Sequence, residues 1–165
     1  LVQELTENTV TGGVAMINHA LAERWRTLDN IIMHDWYLAV LATAIGKLVY
    51  IDQPGELYRQ HDNNVLGART FTKRLKTWLS GPSKMLEKYW WLIHASQAQA
   101  DKILQENELG DEQEAVIRNY IALERLPLSQ RIRVLRQYKY AKNKWFHTMI
   151  FRLLIMTRIG NKNNK

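Results

Sequence analysis

Up to residue 66 the hydrophobic positions come in short runs of mixed spacing, and beyond it they recur at intervals of three and four. "TVTGGVAMIN" (residues 9–18) sets β-branched residues around Gly12 and Gly13, which predicts a strand with a bulge or a close backbone approach. "HALAERW" (19–25) predicts a short helix. "MHDWYLAVLATAIG" (33–46) predicts a helix with Asp35 as N-cap or first-turn residue, running through Ile45 and stopped by Gly46. "KLVYI" (47–51) and "ELYRQH" (56–61) predict strands, with "DQPG" as the turn between them. After Gly67 the spacing predicts helices over 70–79, 83–107, 111–125, 128–140 and 143–158, broken by "SGPS", "LGDE" and "RLP". Asp111 with Glu114 predicts a capping box in which Asp takes the Ser/Thr role. Together these elements describe an α+β chain that is mostly helical, with a mixed portion over 1–68 and a helical region over 69–165.

Composition narrows the class. A chain of 165 residues is one domain or a piece of one. Hydrophobic residues at 46% supply a core, and charged residues at 24% are too few for a disordered chain. The absence of cysteine excludes a disulfide scaffold and thiolate zinc sites, and it favours a reducing compartment. The N-terminus lacks the basic region and apolar core of a signal peptide, and the start at Leu1 rather than Met reads as a piece of a longer protein.

The net charge of +7 is unevenly placed. From Leu126 to Lys165 there is no Asp or Glu, but there are Arg131, Arg133, Arg136, Lys139, Lys142, Lys144, Arg152, Arg158, Lys162 and Lys165. Such a run points to an anionic partner such as a membrane surface, a nucleic acid or another polyanion; a solvated helix face is the plain alternative. Within it, "WFHTMIFRLLIMTRI" (145–159) is apolar but, at fifteen residues, shorter than the ~20 needed to span a bilayer. It suits a helix lying at an anionic membrane interface, or one folded against the rest of the chain.

The candidate chemistry lies at the junction of the short elements. Asp35 stands directly before the apolar helix, where an aspartate also serves as an ordinary cap worth ~1 kcal/mol. "LYRQHDNN" (57–64) then gathers Arg59, Gln60, His61 and Asp62 after a predicted strand. The intervening helix and strand are long enough to return the chain to the same edge, so Arg59 and His61 are expected near Asp35. A carboxylate, an imidazole and a guanidinium in one cleft suit chemistry on a phosphate-bearing substrate.

"TGGVAMIN", "MHDWYLAVLATAIGKLVYID" and "YRQHDNNVLGA", in this order and spacing, resemble the C-terminal half of a family-2 glycosyltransferase. The bacterial rhamnosyltransferase-like enzymes of surface polysaccharide synthesis are the nearer match, over roughly residues 5–70. The resemblance implies a GT-A fold, an α/β domain of which this chain carries the acceptor side ahead of a helical tail. It also implies transfer of a sugar, with rhamnose the nearest suggestion, from a nucleotide-diphosphate donor with inversion at the anomeric carbon. Asp35 would be the catalytic base that takes the proton of the acceptor hydroxyl, an assistance contributing typically ~10²–10⁴-fold. His34 and Trp36 would contact substrate, Gly12 and Gly13 would line the acceptor pocket, and Arg59 would face donor phosphate. The family often has Cys where Gly13 stands. His61 would ligate Mn²⁺ or Mg²⁺, with most ligands expected from a nucleotide-binding half carrying Asp-x-Asp ahead of Leu1. The acceptor would be a glycan or a lipid-linked glycan, and the enzyme would sit in the cytoplasm, peripheral at the inner face of the bacterial cell membrane. Two other classes compete: a basic helical module binding nucleic acid or another polyanion, for which no reading motif is present, and a non-catalytic scaffold domain.

Overall fold

The computed structural model describes residues 1–25, 29, 31–56 and 81–161. Seven α-helices and one 3₁₀ turn order this part of the chain: α1 (Val2–Thr6), the turn Gly12–Val14, α2 (His19–Arg24), α3 (His34–Ile45), α4 (Pro82–Glu106), α5 (Asp111–Ala122), α6 (Leu128–Tyr138) and α7 (Trp145–Thr157). The mostly helical character expected from the sequence is what the structure shows.

α4 is the organising element. It opens at Pro82, a position suited to proline because an N–H there has no helical acceptor. Trp90, Ile93, Ala100 and Ile103 recur at helical spacing on its buried side, with Ser96 and Gln97 among them. Both polar residues are satisfied inside the core: the Ser96 hydroxyl meets the Tyr120 hydroxyl at 2.6 Å, and Gln97 Nε2 donates to Tyr120 O at 3.0 Å. α5 packs along α4 through Val116, Ile117 and Tyr120, while α6 pairs with α7. α3 is buried almost all round, through Trp36, Tyr37, Ala39, Val40, Leu41, Ala42 and Ala44. That explains its nearly unbroken apolar run: α1 touches it on one side and α4 on another. The Tyr37 hydroxyl donates to Glu106 Oε2 at 3.1 Å; burial, reinforced by that carboxylate, pushes the phenol well above its ordinary range.

Several local expectations are corrected. Among the described residues there is no strand: 9–18 forms the 3₁₀ turn flanked by extended backbone, and 47–51 is irregular. Thr11 (φ −108°, ψ 121°) and Ala15 (φ −91°, ψ 133°) have strand-like dihedrals, so the β preference is expressed without a pairing partner. The α/β character of the GT-A domain is therefore not seen in the described part of 1–68. "ELYRQH" beyond Glu56 and the helix expected over 70–79 lie outside the described residues. The Asp111–Glu114 capping box does not form, because α5 starts with Gly110 as N-cap and Asp111 already inside the first turn. Glu114 instead reaches forward to Arg118 at 2.6 Å.

Candidate functional site

Asp35 occupies the first turn of α3, two residues inside its N-cap, Met33. The position of that first turn is set from a distance. Gln99, buried on α4, accepts from the N–H groups of Ile32 and Met33 through Oε1, at 2.9 and 3.3 Å. Trp36, buried, donates its indole N–H to the carbonyl of Glu4 and so fastens the same turn to α1. Glu4 is itself a buried carboxylate that accepts from the Thr9 hydroxyl at 2.6 Å and the Thr9 N–H at 3.3 Å. Those bonds turn the chain back after α1, so that residues 8–12 wrap the head of α3.

The result is a carboxylate held by three donors. Gly12 N–H reaches Asp35 Oδ2 at 3.1 Å, Asn8 Nδ2 reaches Oδ1 at 3.2 Å, and the Trp36 N–H lies 2.8 Å from Oδ1. A carboxylate offers about four lone-pair directions, so roughly one remains for a hydroxyl. Gly12 matters for this contact: a Cβ there would stand 2.8 Å from His34 Nε2 and 3.5 Å from Asp35 Cβ. The His34 ring, exposed at the mouth, stacks on Trp25 with centroids 6.4 Å apart and planes 13° from parallel. Gly12, Asn18, His34 and Asp35 edge a cleft of about 660 Å³ whose remaining wall is mostly apolar, including Leu21, Trp25, Leu38 and Val49.

Of the residues singled out from the sequence, Gly12, His34 and Asp35 come together. Gly13 instead faces Glu56, whose Oε1 would be 2.9 Å from a Cβ added to it. Trp36 lies in the core, off the cleft wall. Arg59 and His61 lie outside the described residues. Asn8, Glu4, Thr9, Trp25 and Gln99 were not foreseen. An Asn two residues after a helix end is a turn signal, but its reach to Asp35, 27 positions on, has no sequence signature. For a divalent ion, no group of three or more His, Cys, Asp or Glu side chains converges among the described residues, so they do not by themselves supply a ligand set.

The acid-free run is divided by the fold. Arg131 Nη1 donates to the carbonyls of Ile155 and Met156, the orphan acceptors at the end of α7. Arg158 bonds Leu126 O, Arg152 bonds Tyr140 O, and Lys142 bonds Thr6 O. Burial pulls the Arg131 guanidinium and the Lys142 ammonium below their ordinary values. Four of the eight described cations after Leu126 are thus committed to backbone carbonyls, and Arg133, Arg136, Lys139 and Lys144 are the exposed ones. No helix among the described residues is long and apolar enough to cross a membrane. No protein-family model, curated protein or solved structure matches this chain.

Proposed function

We propose that this chain forms the acceptor side of an inverting, family-2-like glycosyltransferase of the GT-A type. One observation carries the reading: Gly12 and the His34-Asp35 pair, which starts 22 positions on in sequence, meet at the mouth of a cleft with the carboxylate gripped by Gly12 N–H. In this role Asp35 takes the proton of an acceptor hydroxyl as its oxygen attacks the anomeric carbon of the donor sugar. The bond from that carbon to the nucleotide diphosphate breaks, and the diphosphate leaves with the electron pair. His34 faces the acceptor at the mouth. Trp36 acts as a positioning residue beneath Asp35, a change from the sugar contact expected of it.

The flank beside the cleft supports the same reading. Met16, Leu48, Val49, Tyr50 and Ile51 all stand exposed in irregular backbone, as an acceptor half would leave them where a nucleotide-binding half packs. Donor phosphates and a Mn²⁺ or Mg²⁺ ion would then meet Arg59, His61 and groups contributed by polypeptide outside the described residues. Rhamnose from a nucleotide-diphosphate donor onto a glycan or lipid-linked glycan is the transfer the family resemblance suggests.

The test is a transfer assay on the protein expressed from its complete reading frame, with a panel of nucleotide-diphosphate sugars and glycan acceptors. Product formation with inverted anomeric configuration, read by NMR coupling constants, is the expected result. Retention of configuration, or no transfer from any donor, would overturn the reading.

A further inference from the structure

α7 carries apolar side chains on both of its faces. Phe151, Leu154 and Ile155 point into the core and are buried. On the opposite side Trp145, Phe146, Met149 and Leu153 form one continuous stripe at helical spacing, each more than half exposed, with the least at 53% and Trp145 at 73%. Ile159, just past the helix, is exposed as well. A thirteen-residue helix with apolar side chains on two opposite sides belongs inside a larger body or against a nonpolar surface, and here one of those sides has no cover among the described residues.

The charge around the stripe selects the cover. The helix contains no acidic residue, and none occurs from Leu126 onward. Lys144 precedes Trp145 at the N-terminal end of the stripe and is exposed, as is Lys139 before it. Glu7 is a carboxylate brought to this end of the helix, where its Oε2 accepts from Asn143 N–H at 2.7 Å. Two copies pairing stripe to stripe would bring cations against cations. An anionic lipid leaflet meets both features at once, with headgroups for Lys144 and the acyl boundary for the ring and thioether groups. Trp145, amphipathic and beside a lysine, has the makeup of an interfacial anchor.

We propose that the outer face of α7, built by Trp145, Phe146, Met149 and Leu153, is an in-plane docking surface for an anionic membrane. It does not depend on the glycosyltransferase reading, because none of its residues lines the Asp35 cleft. The basic run acts here through exposed Lys144 at the end of the stripe, while Arg131, Arg152 and Arg158 hold the helices together.

Cosedimentation of the whole chain with vesicles tests this, using phosphatidylcholine alone and phosphatidylcholine mixed with phosphatidylglycerol. Binding to the mixed vesicles, weakened by salt, is expected, and Met149→Ser with Leu153→Ser should weaken it about tenfold or more. Both side chains are exposed, so circular dichroism and the melting temperature of the double variant should match wild type; Lys144→Glu provides a second variant that leaves the apolar stripe intact and should also weaken binding. Undiminished binding by the folded variants would overturn the proposal. Equal binding to neutral vesicles would overturn its electrostatic part, and a dimer abolished by the same substitutions, without vesicle binding, would assign the face to a second copy.

Discussion

In α4 the side chains of Trp90, Ile93, Ala100 and Ile103 fall on one face and are buried, whereas Met16, Val49, Tyr50 and Ile51, as apolar, stand largely in water. The first group belongs to a helix whose backbone hydrogen bonds are internal, so packing one face on α3 and α5 completes it. The second belongs to irregular backbone, where a β-rich sequence becomes regular structure only when another strand supplies the ladder. A helix can be finished by its own sequence and one neighbour; a strand needs a partner of the right direction and register. Asp35 sits at the boundary between the two regimes, held from below by the bundle and from above by the 8–12 segment.

The largest expected effect probes the bundle side of that boundary. Trp36→Ala removes a buried ring and the indole donor to Glu4, and should cost ~3–5 kcal/mol in urea or thermal unfolding. Trp36→Phe keeps most of the volume and should cost about 1 kcal/mol, near the worth of one hydrogen bond. If both variants unfold like wild type, the head of α3 is not anchored where the structure places it.

Next in size is Gln99→Ala, which strands the N–H groups of Ile32 and Met33 and opens a small gap on α4. A loss of about 1–3 kcal/mol is expected, with faster amide exchange at the start of α3 than in the middle of α4. Uniform exchange along both helices would break the distinction between the anchored head and the rest. The smallest effect is expected on the open flank. Val49→Ser and Tyr50→Ser should change stability by no more than about 0.5 kcal/mol, since neither side chain is buried by its neighbours. A loss of several kcal/mol would show that this flank is already packed.

The same contrast explains what could be read from the sequence. The helix expected over 83–107 is found at Pro82–Glu106, and the one expected over 143–158 at Trp145–Thr157, because 3.6-residue periodicity is a local property that packing then uses. The strands expected over 9–18 and 47–51 failed at the level of pairing, since β-branched residues fix dihedrals and not partners. At the site, Asp35 was legible through its place ahead of an apolar run, and Gly12 through its doubled glycine. Their supports were not. Gln99 is a glutamine on a long amphipathic helix, and only the fold turns it toward residues 32 and 33. The basic run was legible only as a sum, because net charge does not reveal which members, such as Arg131 and Arg158, bond to carbonyls.

The central claim is that Asp35 serves as the base, and its replacement in the transfer assay tests it most directly. Asp35→Asn keeps the shape but has one acceptor oxygen where Asp35 offers two to its three donors, so stability should fall by about 1–3 kcal/mol with the fold retained. Transfer should drop by about 10²–10⁴-fold or more in kcat, while the dissociation constant of the nucleotide-sugar donor stays within about twofold of wild type. Wild-type turnover by the folded Asp35→Asn protein would contradict the account.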